Sequence, residues 1–313
     1  MKNSIAAFMI AAAFVCPLSA YAEFIDMPDD SIAADALNKA VENGLLTGIS
    51  DTEIAPYSEL TRAQLAVILS RSLGAAKRAD ISAFTDVNTN DWFYDGLSCA
   101  VKMGAVKGDG KRLNPNDSVT IEQAFLVLSR VFDLNYTSPS AADDFSDSAE
   151  ISAWARDGVN KIIYGGYWKS TGELTPQKPM TRAEFAIVMN NLVSDYITEP
   201  GTYSQKYSGN ILVKSENVKI ENAETDGDIF VADGVSGTTK ILNSVAERVV
   251  VRGGRCEISG TFGWLRAIED NTSLVIDLDN TFLKLNTKDG EKGKFYADGT
   301  KENCKIDFGT IGI

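Results

Sequence analysis

Two arginines stand where a cation is badly placed for a helix and well placed for an anion. Arg62 and Arg182 each follow a threonine, in Thr-Arg-Ala-Gln (61–64) and Thr-Arg-Ala-Glu (181–184). A threonine with Gln or Glu three residues on is a capping box, so a helix starts at each arginine. A guanidinium there faces the positive end of the helix dipole, at a cost of a few tenths to about 1 kcal/mol. An anion reverses that cost. Free backbone N–H groups, the dipole and a guanidinium fork together suit a carboxylate or a phosphate. A plainer reading has the arginines bridging to acids of a neighbouring segment, or simply solvated. Thr120-Ile-Glu-Gln (120–123) keeps the cap but carries Ile121 in the arginine position, so the second groove is expected to be weak or dead. The threonines and their Gln/Glu partners read as caps, not ligands.

These motifs belong to a unit used three times. Phe24-x-Asp26, Phe84-x-Asp86 and Phe145-x-Asp147 recur at spacings of 60 and 61, and the capping threonines at 59 and 61. Each unit reads as helix, loop, helix. The first helix carries an apolar stripe: Ile32, Leu37 and Ala40; Trp92, Leu97 and Ala100; Trp154, Val159 and Ile162. Gly44, Gly104 and Gly166 follow as C-caps. The second helix carries Leu65, Ile68 and Leu69; Phe125, Leu128 and Phe132; or Phe185, Val188 and Leu192. Three such stripes need partners, and a pseudo-threefold bundle satisfies them by packing the three together.

Beyond residue 198 the pattern changes. Tyr196–Tyr207 reads as a polar linker. Short β-rich runs follow at 211–213, 218–220, 229–231, 240–242, 248–251 and 274–278, separated by Gly, Asn and Asp turns. Such regular spacing favours a β-solenoid over a sandwich. Asp289-Gly290 and Asp298-Gly299 look like hairpin turns. The fold expected is multidomain: an all-α trimer of helix-loop-helix repeats at 23–80, 81–139 and 140–198, then an all-β domain at 199–313.

Residues 1–22 read as a secretory signal peptide: Lys2, an apolar run from Ile5 to Val15, and small residues Ser19 to Ala22 before a cleavage site. Phe14 and Val15 before Cys16 do not suit a lipidation box. No segment of the mature chain has the roughly 20 apolar residues of a membrane span. Of 313 residues, 44% are hydrophobic, enough for packed cores. The formal charge is −13 and histidine is absent. A strongly acidic secreted chain is a poor nucleic-acid partner, and lack of histidine excludes His-based triads and His metal ligands. No cofactor or metal ion is expected. Cys99 reads as a small buried hydrophobe, while pairing of Cys256 with Cys304 is left open. Asp226 with Asp228 and Asp277 with Asp279 are candidate carboxylate pairs for an enzyme acting on polysaccharide, although acidic turns explain them as well.

The carriers of a family likeness are now in view: Phe-Thr-Asp-Val (84–87) with Asp91-Trp92, the glycine pairs Gly44/Gly48 and Gly104/Gly108, Leu113-Asn114-Pro115, and Thr-Arg-Ala-Gln/Glu. Residues 24–195 resemble three S-layer homology domains. That resemblance implies a pseudo-threefold prism whose grooves bind pyruvylated secondary cell-wall polysaccharide, or a peptidoglycan-linked polymer, on the bacterial surface. It implies the anion-contacting role for Arg62 and Arg182, and groove-shaping roles for Trp92, Trp154, Gly48 and Gly108. The tryptophans also read as plain core. The expected protein is a non-catalytic, wall-anchored S-layer or envelope component, with other surface-protein copies as further partners. The alternative is a wall-attached polysaccharide-acting enzyme with a β-solenoid catalytic region. An outer-membrane tether ranks below both, since residues 205–313 lack the long alternating strands of a barrel.

Overall fold

The computed structural model describes residues 24–135, 138–170, 172–284 and 292–309. The expected leader and the Asp289-Gly290 turn lie outside the described residues.

Six helices form the first half: α1 (Ser31–Glu42), α2 (Arg62–Ser72), α3 (Tyr94–Lys102), α4 (Ile121–Val131), α5 (Arg156–Tyr164) and α6 (Arg182–Leu192). α2, α4 and α6 each begin with a complete capping box from Thr61, Thr120 and Thr181. The repeated Phe-x-Asp has a physical role. Asp26 accepts the amides of Ile54 and Ala55, Asp86 those of Leu113 and Asn114, and Asp147 those of Leu174 and Thr175. Ala55, Asn114 and Thr175 have φ near +52°, in the left-handed region disfavoured for residues with a β-carbon. The carboxylate clamp holds this strained bend before each second helix.

The repeats close into a ring. Leu60 N–H donates to Met180 O, Met180 N–H to Val119 O, and Val119 N–H to Leu60 O. Helix pairing follows the same cycle. α2 packs on α3, α4 on α5, and α6 returns to α1. Each second helix lies against the first helix of the next repeat, and the stripe residues Leu65, Phe125 and Phe185 are fully buried.

The second half is a parallel β-solenoid. Its strands are β1 (Asp195–Ile197), β2 (Gly201–Tyr203), β3 (Ile211–Val213), β4 (Val218–Glu221), β5 (Asp228–Val231), β6 (Thr238–Val251), β7 (Arg255–Ala267), β8 (Ser273–Leu283), β9 (Lys294–Ala297) and β10 (Lys305–Phe308). One side stacks β1, β3, β5, the end of β6, the end of β7, and β9 in parallel register. A second side stacks β2, β4, the start of β6, the start of β7, β8 and β10. The expected linker over Tyr196–Tyr207 is already solenoid, because β1 starts three residues after α6 ends. Asp298-Gly299 is a corner between β9 and β10, which pair with β7 and β8 and form no hairpin with each other.

The two halves share one continuous hydrophobic core. The register explains why β3 and β5 are buried on both faces. Leu212, Phe230 and Val250 form one column, and Phe230 meets Phe132 edge-on at 5.2 Å between ring centres. The solenoid also donates to helix C-termini, where carbonyls lack partners. Gly234 N–H reaches Leu73 O below α2, Arg252 reaches Val131 O and Arg248 reaches Asp133 O below α4, and Asn210 reaches Leu192 O below α6. Arg248 and Asp228 form a fully buried ion pair at 2.7 Å. No described helix is long and apolar enough to cross a membrane.

Candidate functional site

The cyclic packing assembles each groove from three repeats. The first groove, of about 240 Å³, is lined by the loop Leu45–Ile49, by Gln64, Val67, Ile68 and Arg71 of α2, by Trp92 and by Arg182. The second, of about 700 Å³, is lined by Ala105–Asp109, by Gln123, Leu126, Val127 and Arg130 of α4, by Trp154 and by Arg62. So Arg182, Gly48 and Trp92 meet in one place, and Arg62, Gly108 and Trp154 in the other.

The arginines are clamps as well as cations. Arg182 Nε donates to Ile54 O at 2.7 Å and its Nη2 to Thr47 O at 2.6 Å. Arg62 makes the matching bonds to Leu113 O (2.9 Å) and Lys107 O (3.0 Å). Each guanidinium therefore fixes the glycine loop of the next repeat in the ring. Among the described residues neither bridges to an acid. Burial pulls both below the usual arginine value, opposed by the fields of Asp117 and Asp86 at Arg62 and of Asp26 at Arg182. A half-desolvated cation of this kind gains from an incoming anion.

One expected feature is absent. The first N–H groups of these helices are not free. Arg62 and Ala63 N–H donate to Asp117 O and Pro115 O, and Arg182 and Ala183 N–H to Ser58 O and Pro56 O. The third N–H goes to the cap threonine. Anion binding here must rely on side chains.

The tryptophans are not core. Trp92 is 66% exposed and Trp154 54% exposed, because α3 and α5 begin only two residues later. Ile32, in the same position of the first repeat, is 65% exposed. Gly48 and Gly108 serve the loop fold. A β-carbon on either would stand 2.7 Å from Phe24 or Phe84 and closer still to a backbone carbonyl.

Two residues escaped the sequence reading. Arg71 and Arg130 stand ten residues after the capping threonines and line the first and second grooves. Among the described residues neither has an ion-pair partner. Burial alone lowers the Arg130 value. The third repeat has Asn191 at this offset, and its amide is bonded to Tyr167 O. Ile121 is fully buried there, and Phe125 packs edge-on against Trp168 at 5.3 Å. So the groove without arginines is the one at the third repeat's loop. It had been expected at the second, which Arg62 of the first repeat serves.

The acid pairs in the solenoid are otherwise engaged. Asp228 is paired with Arg248, and Asp226 caps Gly209 N–H. Asp277 accepts from Asp279 N–H and from the Asn280 amide. All three described cysteines are free, so Cys256 and Cys304 are not joined.

Residues 24–66, 83–125 and 144–186 match the family model of the S-layer homology domain. The chain carries three S-layer homology domains. It is 30% identical over 169 residues to an amylopullulanase of Thermoanaerobacterium thermosulfurigenes, covering 52% of this chain and 9% of that protein. It is 24% identical over 245 residues to the surface-layer 125 kDa protein of Lysinibacillus sphaericus, covering 76% of this chain and 19% of that one. It is 23% identical over 317 residues to the S-layer protein sap of Bacillus anthracis, covering 92% and 39%. The chain thus spans less than half the length of these relatives. Likeness to the enzyme reaches about half of this chain, whereas likeness to the sap protein takes in the solenoid following the S-layer homology unit.

Proposed function

We propose that the chain is a non-catalytic surface protein that holds itself on a bacterial cell wall by binding an acidic wall polysaccharide in two inter-repeat grooves. Arg182 and Arg71 with Trp92 serve one groove, and Arg62 and Arg130 with Trp154 the other. The observation that carries the reading is the coincidence of features. Each of these grooves has two guanidiniums and an exposed indole, while at the third junction Ile121, Asn191 and Ile32 stand in the corresponding positions. A guanidinium pair suits a carboxylate such as a pyruvyl group, and an indole face suits a sugar ring. In this reading the repeats at 23–80, 81–139 and 140–198 do the anchoring, and 199–313 braces them and is displayed outward. The S-layer and surface-layer relatives support placement at the cell surface. The amylopullulanase is consistent with anchoring, since its likeness reaches only about half of this chain.

The test is sedimentation with purified sacculi, before and after the attached polymer is stripped. The parent should bind only unstripped sacculi, and Arg71→Ala with Arg130→Ala should abolish binding. Undiminished binding by that double variant would remove the site assignment. Release of reducing sugar from wall polymer by the purified chain would remove the non-catalytic reading.

A further inference from the structure

The second groove does not end at the helices. A further cavity of about 540 Å³ shares Lys107, Leu126, Arg130 and Trp154 with it and continues between α4, α5 and the solenoid. Its far wall belongs to the solenoid: Arg266, Tyr296, Asp298 and Lys301. Among the described residues no solenoid side chain lines the first groove.

The solenoid register explains this wall. The column that is apolar where the helices cover it, Leu212, Phe230 and Val250, continues into Arg266 and Tyr296 where it emerges. Asp133 pairs with Arg266 and fixes it beside the end of α4, and the Tyr296 ring lies 4.3 Å from the Arg266 guanidinium carbon. Tyr296 is 39% exposed. The cavity lining thus includes two exposed aromatic side chains, Trp154 and Tyr296. The same lining holds Arg130 and Lys107, cations with no acid partner among the described residues, and Lys161 and Lys301, which pair with Asp157 and Glu269 of the lining.

Resting on the groove reading above, we infer that the second groove is an extended site for several consecutive sugars of an acidic wall polysaccharide, with the solenoid supplying a remote subsite at Tyr296. The charged terminal sugar sits between Arg62, Arg130 and Trp154. The chain then runs past Lys107 and Lys161 and stacks a further ring on Tyr296. Two unpaired cations and two exposed aromatic side chains in one polar cavity match an anionic oligosaccharide. Continuity with the terminal-sugar groove sets the direction of the chain. The first groove, closed off from the solenoid, takes the terminal sugar alone.

The test uses the full mature chain, because the solenoid caps the helical unit. Two probes are titrated calorimetrically: whole polysaccharide released from the producing bacterium's sacculi, and its terminal one- to two-sugar fragment. Tyr296→Ala should weaken whole-polymer binding about threefold to tenfold, as loss of one aromatic contact does, and leave the fragment unchanged. Tyr296→Trp should retain the parent's polymer affinity. Arg130→Ala should weaken both probes. If Tyr296→Ala binds polymer like the parent, or loses fragment and polymer alike, the extended site is wrong while the groove reading stands. If Arg130→Ala leaves both probes unaffected, the groove reading itself fails.

Discussion

Replacing Arg182 by alanine separates the clamp from the charge. Arg182 is 7% exposed and donates two bonds, of 2.7 and 2.6 Å, to the Ile54 and Thr47 carbonyls. A bond from a charged donor contributes about 1.5–3 kcal/mol net. Two would give about 3–6 kcal/mol, but the groove admits water and the freed carbonyls rehydrate in part. The expected loss is therefore near the lower end, about 3 kcal/mol. In a chain of this size each kcal/mol moves the melting midpoint by about 2 °C, so Arg182→Ala should melt about 6 °C below the parent. Arg71, in the same groove, is exposed and has no described partner. Arg71→Ala should stay within about 0.5 kcal/mol of the parent. Both variants should lose affinity for wall polysaccharide in the same calorimetric titration. Arg182→Lys keeps the charge but not the fork, and should fall between parent and alanine in both measurements. If Arg182→Ala melts within about 1 °C of the parent, the clamp reasoning fails. If Arg71→Ala melts several degrees lower, Arg71 has a structural role that its surroundings do not account for.

Ile121→Ala should destabilise the chain by about 2–4 kcal/mol through a cavity, yet leave wall-polymer affinity at 20 °C unchanged, measured by denaturant titration and calorimetry. Arg248→Met should cost about 3–5 kcal/mol by breaking the buried ion pair with Asp228, and adding Asp228→Leu should recover much of that loss, read from urea midpoints of single and double variants. Acid should loosen the ring. Burial raises the Asp26 and Asp147 carboxyls, but the backbone amides they accept outweigh it and hold both below the usual value. Their contribution is thus complete above an unfolded value of about 4 and is lost as pH falls through the folded values. The melting midpoint should be flat near neutrality and drop below about pH 4, less steeply in Asp26→Asn/Asp147→Asn. Reductant should leave that midpoint unchanged, and the buried Cys256 thiol, pushed up by burial, should react with a thiol reagent only after unfolding.

What the sequence made legible was local. A capping box involves four consecutive residues, and all three are found where the motif puts them. The repeat period and the short β runs are also properties of nearby residues, and they led to the right architecture. Cross-repeat features were not legible. Nothing near Arg62 says that its partners are Leu113 O and Lys107 O, about fifty residues on. The tryptophans were read into a helix stripe, but they precede the helix, where helical periodicity has no force. Arg71 and Arg130 looked like ordinary cations in a last turn, where the helix dipole favours them anyway. Their equal offset from Thr61 and Thr120 was the available signal. The turn at Asp298-Gly299 has hairpin chemistry, and only the parallel register of β9 and β10 shows it to be a corner.

The ring changes how a substitution in one repeat should be traced. Each loop is held by the arginine position of the preceding repeat, so a groove is the property of a junction. Ile121 lies in the second repeat but removes the cation from the third repeat's groove, and Asn191 removes the other. Both losses fall on one junction and spare the other two. The same logic applies to the base. C-terminal ends of α2, α4 and α6 carry partial negative charge and unpaired carbonyls, and the solenoid meets them with Gly234 N–H, Arg252 with Arg248, and Asn210. The cations go to α4, beside Asp133. Arg252 also holds Glu269 and Arg266 holds Asp133, so the buried charge there is balanced. Cutting the chain after residue 198 would expose these carbonyls and Phe132 together. The helical unit would then lose part of the support that fixes α4, the helix that carries Arg130 into the second groove.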